Sequence, residues 1–230
     1  ITMTIDKILN IELDIIFFAS SNQVSEQWIP ELLKNQPNVK IIDNSSFYRL
    51  DQNVPLIVPE INSHLITNET RLIANPNCST AQLVMVLYPL DQKYKIKRVV
   101  ISTYQSVSGS GYAGIKQMYN ERNNEVIEKK VFEPKIDLNC ISFCDVLDPE
   151  TGYTKEELKL ENETKKIIRP EINLTATAVR VPVICGHCET VNIEFENDFE
   201  LDEIKTCLQN MPGVQLKDEA YPIEVLNQTN

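Results

Sequence analysis

Between Leu13 and Asp43 the chain reads as strand, helix, strand, and no other stretch limits the possible fold as much. Leu13 to Ala19 is a continuous apolar run closed by Ser20-Ser21-Asn22, the pattern of a buried parallel strand with a loop at its carboxyl end. Val24, Trp28, Ile29, Leu32 and Leu33 then recur at helical spacing as far as Lys34, with Ser25 as the expected N-cap. Val39 to Asp43 is the second strand. This order predicts one unit of a doubly wound α/β sheet, a fold that takes its ligands at strand carboxyl ends.

The turn Ala74-Asn75-Pro76-Asn77-Cys78-Ser79-Thr80 follows. Asn-Pro-Asn keeps a helix from entering, whereas Thr80 to Leu87 is an apolar helix leaving it. Cys78 is expected to cap that helix, where unsatisfied amides and the positive end of the dipole favour a thiolate and lower its pKa. That is a nucleophile's position. A buried core cysteine is the competing reading of position alone.

Further on, Val99 to Gln105 predicts a strand of β-branched and aromatic residues ending in Ser106-Val107-Ser108-Gly109-Ser110-Gly111. Two closely spaced glycines there let backbone approach a ligand. Thr154 with Glu157 three residues on is a capping box opening a helix to Ile168. Glu163 and Lys166 sit one turn apart on it, by default a solvated ion pair. Thr175 to Pro182 and Thr190 to Glu196 alternate as antiparallel strands, and Leu201 to Asn210 is an amphipathic helix, so the second half is α+β.

Composition bounds the partners. A chain of 230 residues buries one sizeable core or two small ones. A net charge of −11 with no basic cluster argues against nucleic acid. The longest apolar run is far short of a membrane span. The pairs Cys140/Cys144 and Cys185/Cys188 admit a thiolate zinc site, with His187 inside the second pair, as a non-enzymatic alternative; against it, 184–189 lacks the turn residues of a zinc knuckle.

Taken in order, Ile41–Asp51 (IIDNSSFYRLD), 74–80 (ANPNCST), 103–111 (TYQSVSGSG), 161–167 (ENETKKI) and 178–187 (AVRVPVICGH) resemble the aspartate-β-semialdehyde dehydrogenase family. N-acetyl-glutamyl-phosphate reductases, which share fold and chemistry, look instead like Asn-Pro-Gly-Cys-Tyr at the cysteine. The resemblance implies NADPH-dependent reduction of β-aspartyl phosphate through a thioacyl-enzyme, in a cytoplasmic homodimer of amino-acid biosynthesis. By motif, Cys78 is the nucleophile, His187 the acid/base and Gln105 the residue that orients the acyl group. Arg180 would take the α-carboxylate and Glu163 the ammonium. Arg49 and Lys166, with Asn77 as a further donor, would take the phosphate. Ser108 and Gly109 match the contact with the nicotinamide end of NADP.

Compared with the family, Ala19-Ser20-Ser21-Asn22 replaces a glycine-rich turn, and a first Gly-rich nucleotide loop and a last long helix are not seen. The expectation is an internal segment: residues 1–77 the remnant of an NAD(P)-binding domain, and 78–230 a catalytic and dimerisation domain. Cofactor affinity and turnover are expected to be lost in the chain as given.

Overall fold

The computed structural model describes residues 4–218 and 221. In chain order the elements are α1 (Ile5–Leu9), β1 (Ile15–Phe18), α2 (Asn22–Asn35), β2 (Lys40–Asp43), α3 (Pro59–Asn62), β3 (Leu72–Ala74) and α4 (Cys78–Tyr94). They continue with β4 (Ile96–Gln105), α5 (Gly111–Arg122), α6 (Lys155–Ile167), β5 (Asn173–Arg180), β6 (Cys188–Phe195) and α7 (Leu201–Gln209). The fold is mixed α/β with two three-stranded sheets.

The first sheet, ordered β1-β2-β3, is parallel throughout, with Ile15 opposite Lys40 and Ile41 opposite Leu72. Ile29 and Leu32 of α2 bury against Phe18, Val39 and Ile41, which is what the helical spacing of those residues requires. Arg71 fastens the carboxyl end of α2, donating from Nη1 to the carbonyl of Leu33 at 2.9 Å and from Nη2 to that of Gln36. Two expectations change here. Ser21, not Ser25, is the N-cap residue; Ser25 turns inward and donates to Asp43 Oδ1 at 2.9 Å. β1 is not buried on both faces either, because Phe17 is 73% exposed while Phe18 is 5% exposed.

The second sheet is ordered β5-β4-β6. β5 runs parallel to β4, pairing Gln105 with Arg180, and β6 runs antiparallel to β4, pairing Tyr104 with Cys188. So the strand pair expected to be mutually antiparallel is separated by β4, a partner from earlier in the chain. One face of this sheet packs Val99, Ile101, Leu174 and Ala176 against Leu83 and Leu87 of α4 and Leu160 of α6. Val84, next to Leu83 on α4, enters a different core with Val54, Leu56 and Ala74. A helix that must face two cores has to be apolar around most of its circumference. This is why the stretch after Cys78 is so uniformly hydrophobic. α4 thereby ties the two sheets together with the carboxyl ends of β2, β3, β4 and β5 and the amino end of β6 facing one cleft.

The capping box on α6 forms: Glu157 N–H donates to Thr154 Oγ1 at 3.3 Å and Thr154 N–H to Glu157 Oε2 at 2.7 Å. Glu157 Oε1 also accepts from Ala178 N–H at 2.9 Å, so the cap fixes the helix start against β5.

Candidate active site

Asn77 caps α4, its Oδ1 accepting from the amides of Ser79 at 2.9 Å and Thr80 at 3.2 Å. Cys78 is therefore the first helical residue, one place further in than expected, and it opens to the cleft. Its Sγ lies 3.3 Å from His187 Nε2. His187 is contributed by the turn before β6. The imidazole is held from behind by Ser106, whose N–H donates to Nδ1 at 3.0 Å.

Around the pair lies a cleft of about 680 Å³ between the carboxyl ends of the two sheets. Arg180 enters it from the end of β5. Its Nη1 donates to the Ser106 carbonyl at 2.7 Å, the guanidinium stands 5.8 Å from the Phe132 ring, and no carboxylate among the described residues pairs with it. Gly109 is what lets this group and the imidazole sit so close. A Cβ there would stand 2.8 Å from Arg180 Nη1 and 3.2 Å from His187 Cε1.

Gln105 is almost fully buried at the end of β4, and its Nε2 donates to Ser79 Oγ and to Glu156 Oε1, each at 3.0 Å. Glu156 Oε1 also accepts from Asn77 Nδ2 at 2.9 Å. Its other oxygen meets Lys159 Nζ at 3.2 Å, and Lys159 in turn reaches Asp145 at 2.7 Å. Both Glu156 and Lys159 line the cleft.

The electrostatics of the cysteine run against the simple helix-terminus expectation. Burial first, and the negative charge of Glu156 second, push the Cys78 thiol up from its ordinary value. The hydrogen bonds from Ser79 and the charge of Arg180 pull it down without reversing the sign. Burial, then Arg180, hold His187 below its usual range, with Glu156 opposing them. Both shifts favour the neutral thiol and the neutral imidazole. Burial works against the charge of Lys159, but the hydrogen bond and charge of Asp145 and the charge of Glu156 outweigh it and raise its pKa.

Of the residues expected at the site, Cys78, His187, Gln105, Arg180, Arg49, Asn77, Ser108 and Gly109 meet at this cleft. Glu163 and Lys166 do not line it. Glu163 is buried, with Oε1 on Arg49 at 3.1 Å and Oε2 on Asn77 N–H at 2.6 Å. Lys166 donates to the carbonyls of Arg49, Asp51 and Val54, a staple on the loop between β2 and α3. They are not paired with each other, so the default ion-pair reading also falls. The groups missed from the sequence are Glu156 and Lys159. They repeat the same spacing seven residues earlier, which on a helix is two turns and nearly the same face. The usable signal was the capping box, which places residues 155–159 in the first turns of α6, beside the helix end that faces the cleft.

The zinc alternative finds no support: among the described residues no group of three or more His, Cys, Asp or Glu side chains converges as metal ligands. His187 is turned to Cys78, and Cys144 is buried with its thiol pushed up to about 11, mainly by that burial.

A family model described as "Semialdehyde dehydrogenase, NAD binding domain" matches residues 2–69, and one described as "Semialdehyde dehydrogenase, dimerisation domain" matches residues 87–229. The chain is 42% identical over 223 residues to an aspartate-semialdehyde dehydrogenase of Helicobacter pylori, covering 90% of this chain and 63% of that protein. To the Rickettsia bellii enzyme of the same name it is 42% identical over 229 residues, covering 94% and 67%. A crystal structure of aspartate semialdehyde dehydrogenase II from Vibrio cholerae superposes with a TM-score of 0.83 at 37% identity, over 91% of this chain and 64% of that one. The Candida albicans enzyme, solved with NADP, superposes at 0.65 with 26% identity, over 86% and 56%. The chain thus spans a little under two thirds of the Helicobacter pylori and Vibrio cholerae proteins.

Proposed function

The chain belongs to the aspartate-semialdehyde dehydrogenase family, and from that premise we propose that it carries out the NADPH-linked reductive dephosphorylation of β-aspartyl phosphate. The observation that carries the reading is Cys78 Sγ 3.3 Å from His187 Nε2, in a cleft where the buried Arg180 has no carboxylate partner among the described residues. A nucleophile beside an unpaired planar cation suits a substrate that presents a carboxylate at one end and an acyl group at the other.

In this reading Arg180 takes the α-carboxylate with its guanidinium fork. Glu156, which lines the cleft, takes the ammonium, in place of Glu163, which does not line it. Lys159 and Arg49, the cations that line the cleft beside Arg180, take the phosphate, in place of Lys166, which donates to three carbonyls outside it. The ammonium has a second effect. Paired with the ammonium as well as with Lys159, Glu156 repels a charge on Cys78 less, so substrate binding weakens one of the two causes that raise the thiol's pKa. Cys78 Sγ then forms the S–C bond as the acyl C–O bond breaks and phosphate leaves. Gln105 fixes the position of Glu156 and Ser79.

The residues fit the nicotinamide end of a dinucleotide. Asn44 and Ser46, at the end of β2, and Asn75, after β3, line the cleft at the carboxyl ends of parallel strands, and Ser108 and Gly109 face them. When bound, NADPH supplies the hydride that reduces the thioester. Support for a nicotinamide cofactor comes from the match over residues 2–69 and from the NADP-bound Candida albicans relative. We further read residues up to 77 as nucleotide-binding and those from Cys78 onward as the catalytic and dimerisation part. A homodimer in the cytoplasm is proposed on the dimerisation-domain match; no helix among the described residues is long and apolar enough to cross a membrane.

The test is aldehyde oxidation by the full-length protein, following NADP reduction with aspartate semialdehyde and phosphate. Activity that disappears in Cys78→Ser is expected. Turnover unaffected by that change, or activity on N-acetyl-glutamate semialdehyde alone, would overturn the reading.

A further inference from the structure

Lys159 stands between two carboxylates, its Nζ 2.7 Å from Asp145 Oδ2 and 3.2 Å from Glu156 Oε2. Lys159 and Glu156 line the cleft. Asp145 does not; it reaches Lys159 from a neighbouring cavity walled by Phe132, Phe143 and Cys144. We propose that Asp145 is a positioning residue for the reaction: it draws the Lys159 ammonium off Glu156 and keeps it available to phosphate, so that Glu156 stays available to the substrate's ammonium. The inference rests on the phosphate and ammonium roles given to Lys159 and Glu156 above.

The loop before α6 is built to deliver this carboxylate. Asp145 has a φ of 71°, a left-handed conformation that Asp and Asn adopt more readily than other side chains. Its Oδ1 accepts from the Val146 amide at 2.8 Å, which leaves Oδ2 for Lys159. The Val146 carbonyl accepts from Lys155 N–H at 2.8 Å, Leu147 bridges to Thr154, and Asp148 N–H donates to the Tyr153 carbonyl at 2.8 Å. The loop is thus clasped to the start of α6, one turn before Lys159. A strained backbone persists where its surroundings over-determine it, and these contacts do so.

The position matters because Glu156 and Lys159 are three residues apart on one helix, where opposite charges pair by default. Left to themselves they would neutralise each other, covering the carboxylate and withdrawing the cation. Glu156 cannot move away, since its Oε1 is held by Asn77 and Gln105. Asp145 takes the shorter of the two hydrogen bonds from Lys159 and pulls Nζ to the other side. An ammonium has three donors; the two carboxylates engage two of them, and the third is left for a phosphate oxygen. Burial works against the charge of Asp145, but the hydrogen bonds from Lys159 and the Val146 amide outweigh it and hold its pKa below the usual range.

The test uses the full-length protein in the oxidative direction, with aspartate semialdehyde, NADP and inorganic phosphate. Asp145→Asn keeps a side chain that tolerates the left-handed backbone and an oxygen for the Val146 amide, and removes the charge. Its KM for phosphate should rise about fivefold, the worth of a partly exposed charge-assisted hydrogen bond, with KM for NADP unchanged. Charge alone predicts the opposite sign, since deleting a carboxylate near an anion favours the anion. A phosphate KM that falls or stays level would therefore overturn the inference, as would an equal rise in KM for NADP. Because Asp145 acts through Lys159, adding Asp145→Asn to Lys159→Met should change the phosphate KM little; a further loss as large as that of the single variant would show a general disturbance of the loop and overturn it as well. Absence of phosphate-dependent turnover in the unmutated protein would remove the functional reading, and this inference with it.

Discussion

At the scale of single residues, burial decides which ionisable groups keep their ordinary behaviour. Glu189, two places after His187, is turned inward from β6 beside Thr103. Its Oε1 is buried without a hydrogen-bond partner, and that burial, opposed only by a hydrogen bond with Gln82, raises its pKa from 4.5 to about 8. The folded state therefore binds this proton more tightly than the unfolded chain does. The resulting stability is fully present below about pH 4.5 and is lost as pH rises towards 8. Glu189→Gln keeps the shape and removes the titration. The melting temperature of the variant relative to the original should climb between pH 5 and pH 8, by the equivalent of about 1–3 kcal/mol. A pH-independent difference in thermal melts would show that Glu189 is hydrated in solution.

At the scale of elements, α6 bears more of the site than its surface pattern suggests. Its cap is built from Thr154 and Glu157, and the same Glu157 reaches Ala178 two residues before Arg180. The helix start, the strand that carries Arg180 and the cleft-lining Glu156 and Lys159 are thus one mechanical unit. Thr154→Ala removes the cap acceptor at a cost of about 1 kcal/mol. Because the loss falls on the unit that holds Glu156 and Arg180, substrate KM should rise more than kcat falls. Unchanged KM with the stability loss present would mean that the cap serves the helix alone.

At the scale of the whole molecule, the cores are continuous. Leu87 lies in the core of the second sheet and Val84 in the core beside β3; Tyr48 and Leu72 pack against both this second core and that of α2. Leu87→Ala, at a fully buried site, should cost about 2–5 kcal/mol. Trp28, the one tryptophan, sits in α2 on the first sheet, far along the chain from that mutation. Urea unfolding followed by its fluorescence should shift as much as unfolding followed by circular dichroism. A fluorescence transition left in place would show that the two sheets unfold separately.

What the sequence determined by itself is local or is carried by motif. The strand-helix-strand order of residues 13–43, the turn before Cys78 and the Thr154 capping box follow from spacing and short-range chemistry, and each forms. The motifs also name the family, since their order along the chain survives whatever the packing does. Tertiary structure decided the rest. Glu156 and Glu163 share one face of α6, so only the depth at which that helix meets Asn77 puts the first in the cleft and seals the second against Arg49. The placement of β4 between β5 and β6 required pairing across more than sixty residues of chain, which no local signal carries. The sign of the shift at Cys78 belongs to the same class. A helix terminus alone favours the thiolate, but the net result depends on how much of the protein surrounds the sulfur and on a carboxylate supplied from seventy-eight positions away. Desolvation and through-space charge are set by packing, and sequence separation does not measure them.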